Sequence, residues 1–304
     1  MKTILAKSSL WLLAFGMSVV STGAANRIHV IATLPELAEF AREIGGKSVD
    51  VESLATGVED PHGVPMKPSF VTKLNRADFV IVLGLDLEHA FMPGLLDASK
   101  NPKILAGKSG YIDCSRDITP LEVPKTLSRA EGELHPSGNP HYNLDPVSMR
   151  KAFQTIYEAF VKNFPDHEAE FKTGRDAYLA RLDKKMAEWQ ELAKPLQGLK
   201  FVSYHNEFPY FCERFGTKQM GTMELRHGVD PTAGHIKELI EMMKSEHVKV
   251  VVREPQFSER VPNQIAAQTG SKVAKIPIMS GGPQAKTYFE FIENTLRTLL
   301  DASK

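Results

Sequence analysis

Apolar positions fall along the chain in short blocks separated by amphipathic stretches, and that alternation predicts the elements. Residues 28–32 read as a buried strand, and Pro35 opens a helix that Gly45 and Gly46 end. Residues 49–54 form a second strand, followed by the polar loop 57–63. A helix near 69–76 leads into 78–84, the clearest core strand of this half. Another helix around 87–98 precedes strand pieces near Ile104 and Ile112. Residues 115–140 carry Pro, Gly and Ser without a period and are expected to form a long surface loop that includes His135.

From Pro146, the residues Val147, Met149, Phe153, Ile156, Phe160 and Phe164 recur at helical spacing until Pro165. A second helix is expected over 166–194, with Phe171, Tyr178, Leu182, Met186 and Trp189 on one stripe. At 1.5 Å per residue it is roughly 40 Å long, more than one sheet needs. Beyond it the first half's pattern returns. Strands are expected at 200–204, 219–223, 248–252 and 273–278, with helices between them, one over 235–247, and a last helix at 284–300. Alternating strands and helices imply parallel sheets covered on both faces. The expected fold is α/β, with two (βα)4-like parallel-sheet lobes joined by one long rigid helix. The first lobe spans 26–165, the spine 166–196 and the second lobe 197–304. Ligands of such folds sit at strand C-termini and in inter-lobe crevices.

Composition narrows the function. The 304 residues carry 37 basic and 37 acidic side chains. Zero formal charge argues against nucleic acid or an anionic membrane surface held by bulk electrostatics. Residues 1–25 have the three regions of a secretory signal peptide: Lys2 and Lys7, an apolar run from Leu10, then small residues to Ala25. The run is short for a membrane span. Cleavage is expected near Ala24 or Ala25, and no cysteine stands there for lipid attachment. An exported, periplasmic, soluble protein is therefore expected. Cys114 and Cys212 fall in different expected lobes, which favours two separate thiols over a bridge.

The chemistry gathers on loops. In Asn139-Pro140-His141-Tyr142-Asn143-Leu144-Asp145-Pro146, Asp145 is a good N-cap and Pro146 fits the first helical position. His141 is thereby held at the mouth of a helix. His62 and His205 sit in strand-end loops far away in sequence. Three neutral imidazoles suit Zn²⁺, which takes nitrogen donors at about 2.0–2.1 Å in tetrahedral sites. Spacings this long are not a motif by themselves.

Four stretches add specificity: Asp60-Pro61-His62 with Pro68-Ser69; Asn139-Pro140-His141 with Leu144-Asp145-Pro146; Ser203-Tyr204-His205-Asn206 with Phe211 and Phe215-Gly216; and Glu254-Pro255-Gln256-Phe257-Ser258. In order and spacing, over essentially the whole mature chain, they resemble the cluster A-I, or zinc/manganese, solute-binding proteins of bacterial ABC importers. The resemblance implies two α/β lobes joined by a helix and a Zn²⁺ or Mn²⁺ site in the crevice. It also implies delivery of the metal to a membrane permease served by a cytoplasmic ATPase, from a protein expected to be a monomer. It matches His62, His141 and His205 to the metal ligands, and a histidine at 205 is the zinc-type choice, with Mn²⁺ the alternative. A fourth ligand, often a late aspartate, is expected after the strand 273–278, where this chain has Met279 and Ser280 instead. Glu254 is the other candidate, as fourth ligand or as a carboxylate behind the ligands. The His-rich loop common in zinc-type members is reduced here to His135.

Plainer readings stand beside these. Asp60 and Glu59 either orient the His62 ring or form a solvated turn. His227 is expected at the surface, or at the rim of the cleft. His29, His89, His167, His235 and His247 read as ordinary strand or helix residues. Three ligands and a water would also fit a zinc hydrolase, but the chain has no His-Glu-x-x-His element.

Overall fold

The computed structural model describes residues 27–124 and 135–304. The expected signal segment and residues 125–134 of the expected loop lie outside the described residues.

The first lobe is built on β1 (Ile28–Ala32), α1 (Pro35–Gly45), β2 (Val49–Ser53), α2 (Pro68–Arg76), β3 (Phe79–Val82), α3 (Met92–Ser99) and β4 (Tyr111–Asp113). Its four strands are parallel in the order β2-β1-β3-β4. Every residue of the central strand β3 is buried, which is why it reads as an unbroken apolar run. Two local expectations fail. Ile104 is buried in a single 3₁₀ turn, Pro102–Ile104, and not in a strand. The helix expected from 87 begins only at Met92, because Phe91 leaves helical geometry at φ −129° and Pro93, with no amide proton to bond a preceding turn, belongs in a first turn.

Next come α4 (Pro146–Asn163) and α5 (Glu168–Ala193). Asp145 caps α4 as its sequence suggests, its carboxylate accepting from the amides of Val147 and Ser148. α5 has 26 residues and is therefore about 39 Å long. It buries Phe171, Tyr178, Leu182 and Trp189 against α1, α4 and the C-terminal helix. Gly174 lets it cross α1 closely, since a Cβ there would meet the Glu43 carbonyl oxygen at 2.2 Å.

The second lobe repeats the first with β5 (Lys200–Ser203), α6 (Pro209–Phe215), β6 (Lys218–Thr222), α7 (Ala233–Ser245), β7 (Val250–Arg253), α8 (Arg260–Thr269) and β8 (Lys272–Lys275). Its strands are also parallel, in the matching order β6-β5-β7-β8. α9 (Tyr288–Ser303) closes the chain against α5 and β8. The last strand is shorter than expected because residues 276–287 leave the sheet and cross to the first lobe. There the buried Glu36 carboxyl accepts from the Ser280 amide and hydroxyl, each at 3.3 Å. The approach is close enough that Gly57 has no room for a Cβ, which would meet the Gly282 amide nitrogen at 2.2 Å.

The turn that carries His141 is braced from both lobes. Tyr142 donates to the Leu83 carbonyl at 2.5 Å, and Asn143 donates to Glu36 and to the Ile278 carbonyl. From the second lobe, Tyr210 donates to the Asn139 carbonyl at 2.9 Å and Arg214 pairs with Asp145 at 2.6 Å. Cys114 and Cys212 form no disulfide.

Candidate metal centre

His62 follows β2, His141 precedes α4 and His205 follows β5, and the fold brings all three imidazoles together between the lobes. One ring nitrogen from each lies within 4.8 Å of one from the others. Ring centroids are 5.0 Å apart for His62 and His141, 5.3 Å for His62 and His205, and 5.1 Å for His141 and His205. Each of the three residues is only 3% exposed.

Supporting groups decide which nitrogen each ring presents. Asn139 Oδ1 lies 3.0 Å from His141 Nδ1, and an amide oxygen only accepts. Nδ1 therefore carries the proton and Nε2 offers its lone pair. Glu224 does the same for His205, with its carboxylate 2.7 Å from Nδ1. Metal-bound histidines are usually oriented by such second hydrogen bonds. His62 is set by an Asx-type turn, its amide donating to Asp60 Oδ1 at 2.9 Å. The Nε2 atoms of His62 and His141 are 3.0 Å apart. Two nitrogens bound to one tetrahedral zinc stand about 3.3 Å apart, from the usual Zn–N length, so a small outward shift seats an ion.

Electrostatics favour the neutral, ligating form of His62 and His141. Burial holds His62 well below the ordinary imidazole value, with the neighbouring His205 ring adding to the effect. Burial, then His62 and His205, does the same to His141. Burial alone would raise Glu224, but its hydrogen bonds to His205 and His227 outweigh that and keep it ionised.

Several expectations need correction. His135 is not a surface-loop residue; it is buried, with its ring stacked on His62 at 5.0 Å. The reason is that the chain folds back at Gly138 and Asn139, whose amide donates to the Leu121 carbonyl. His227 is not at the open surface but stands in the crevice, 2.8 Å from Asp60 and 4.6 Å ring to ring from His62. Asp60 is accordingly a hydrogen-bond partner of His227 rather than a solvated turn residue. Burial raises the Asp60 carboxyl, but His227 more than compensates and holds it below the usual aspartate range.

Glu254 is fully buried and lies outside the three-histidine cluster. Its carboxyl is pushed up to about 7 by burial, and it faces the His205 backbone and the Glu207 side chain. Glu207 is raised well above the usual range by burial and by Glu254. The two carboxyls thus lie behind His205. Ser280 is turned away to Glu36, and Met279 is buried in the main apolar core. Ser280→Asp is therefore expected to set a second carboxylate against Glu36 and to lower stability by about 3–5 kcal/mol, the cost of an uncompensated buried charge. Urea unfolding of the metal-free protein measures this, and unchanged stability would contradict the placement.

Glu224, Glu207 and the role of Asn139 were not anticipated from sequence. Glu224 had one usable signal, a carboxylate at the C-terminal end of the strand beside β5.

Two α/β lobes around an imidazole-lined crevice define a solute-binding protein for a metal ion. The model of the family described as ZnuA, zinc-uptake complex component A, periplasmic, matches residues 30–302. The chain belongs to that family and is a metal-binding component of an ABC importer, not an enzyme. It is 24% identical over 286 residues to the high-affinity zinc uptake system protein ZnuA of Bacillus subtilis, covering 91% of this chain and 88% of that one. It is 28% identical over 273 residues to the manganese-binding lipoprotein MntA of the same species, covering 88% and 83%. A crystal structure of a ZnuA deletion mutant with zinc bound superposes with a TM-score of 0.77 at 26% identity, covering 91% of this chain and 98% of that one.

Proposed function

We propose that His62, His141 and His205 hold Zn²⁺ through three ring nitrogens and that a water completes the tetrahedron. The observation that carries this reading is the convergence of three buried imidazoles, two of them with their Nδ1 protons fixed by Asn139 and Glu224. Zinc is satisfied by three nitrogens and one oxygen. Manganese prefers more oxygen donors, and the three-histidine cluster contains no carboxylate. Glu254, joined to Glu207, serves as support behind His205.

The protein releases the ion to a membrane permease with its cytoplasmic ATPase. It acts as a monomer in the periplasm, after removal of residues 1–25 and without a lipid anchor. No helix among the described residues is long and apolar enough to cross a membrane. Residues 26–165 and 197–304 act as the two lobes and 166–196 as the spine.

Calorimetry on the mature protein is expected to show one tight zinc equivalent per chain, with manganese bound at least about 100-fold more weakly, in line with the nitrogen donor set. Manganese binding as tight as zinc binding would overturn the assignment of the metal.

A further inference from the structure

His227 makes a connection that the three ligands alone do not require. Its Nε2 lies 2.8 Å from Asp60 Oδ2, and its Nδ1 lies 3.6 Å from Glu224 Oε1. Asp60 is the residue whose other oxygen fixes the His62 backbone, and Glu224 is the residue that orients His205. His227 therefore spans the crevice between the supports of two ligands, one on each lobe. Its ring is 4.6 Å from that of His62 and 5.1 Å from that of His205.

The link lies on the more exposed side of the cluster, the His227 side chain being 24% exposed against 4% for His205. A cavity of about 690 Å³ is lined by His205, Glu224, Leu225 and His227. On the same segment Leu225 and Val229 are more than half exposed. On the opposite side Glu59 bonds within its own turn, to Thr56 and Val58.

We propose that His227 is a latch: a positioning residue that joins the His62 loop to the His205 support across the crevice and slows escape of the ion. The proposal rests on the three-histidine reading above. The groups Asp60–His62–His227 and His205–Glu224–His227 could each be taken for a second metal position. Two observations favour the latch. The three-histidine group is buried at every ligand, whereas His227 and Asp60 are only partly buried. Each alternative group also takes His62 or His205 away from the inner triad.

The test is stopped-flow zinc kinetics on the mature protein, with a chelator in excess to read dissociation. Loss of a group that supports a metal ligand typically weakens binding 10–100-fold. His227→Ala is expected to speed dissociation by about 10-fold, the low end of that range. Association should stay within about 2-fold and the stoichiometry should remain one. His227→Gln, whose amide donates to either carboxylate, should recover most of the slow release. A merely structural role would instead lower the thermal midpoint of the metal-free protein and leave dissociation unchanged, and unchanged dissociation overturns the latch. Slower association together with loss of a second zinc equivalent also overturns it, because His227 would then be a ligand. His205→Ala in the same assay keeps the two readings apart: if it binds zinc like wild type, the three-histidine site fails whatever His227 does.

Discussion

His205→Ala is expected to abolish tight zinc binding while the protein still folds. His205 would supply one of only three protein donors, and its Nδ1 is committed to Glu224. Losing a support behind a ligand costs 10–100-fold in metal affinity, so losing the ligand itself should cost more than about 100-fold. His62→Ala and His141→Ala should behave alike, because each removes a third of the same donor set. Folding should survive because all three residues lie on loops after or before the elements, outside the strands that make the core. Chelator competition gives the affinity, and circular dichroism with thermal unfolding checks the fold. Wild-type affinity in any of the three variants would remove that residue from the site.

How far the sequence reveals this molecule depends on the physical signal each part leaves. Strands β1, β3, β5 and β7 sit inside their sheets and are mostly buried, so each centres on a compact apolar run, although His29 of β1 is exposed. The stripe from Phe171 to Trp189 is equally plain, because a 26-residue helix repeats its buried face many times. Ile104 was misleading because a buried 3₁₀ turn of three residues leaves the same short apolar trace as an edge strand. At the site, His62, His141 and His205 were legible from their strand-end and helix-start loops and from resemblance. His135, Glu224 and His227 were not. They come to the crevice on irregular segments held by tertiary contacts, such as the Leu121–Asn139 bond and the Asp60–His227 pair, and such contacts leave no period in a sequence. The fourth-ligand position illustrates the same limit. Ser280 stands where an aspartate was expected, and only the buried Glu36, distant in sequence, explains why it turns from the histidines.

Acid should release zinc later than ordinary imidazoles would predict. Three histidines titrating near pH ~6.5 would lose on the order of 10,000-fold in zinc affinity between pH 7.5 and 5, since each must shed a proton to coordinate. Burial holds His62 and His141 well below that value, so in the folded protein they stay neutral into more acidic solution. Proton competition for these two ligands therefore begins lower, and the loss of affinity over this range should be clearly smaller. The same depression has an opposite consequence for the metal-free fold. Below about pH 6.5 the unfolded chain takes up protons at these two positions that the folded protein does not. At these two positions falling pH thus favours the unfolded chain from about pH 6.5 downward until the folded rings protonate. Glu254 and Glu39, each pushed up to about 7 by burial, contribute in the opposite direction. The histidine part is therefore read as the difference between wild type and His141→Ala. Each unit of depression is worth about 1.4 kcal/mol. Calorimetric zinc titrations at pH 7.5, 6 and 5 test the first expectation, and urea unfolding of the metal-free protein over the same range tests the second. In His141→Ala, acidification should cost less stability, or gain more, than in wild type, because one of the two depressed groups is gone. A full loss on the order of 10,000-fold, as for exposed imidazoles, together with the same pH dependence of metal-free stability in wild type and His141→Ala, would show that His62 and His141 are not held neutral by burial.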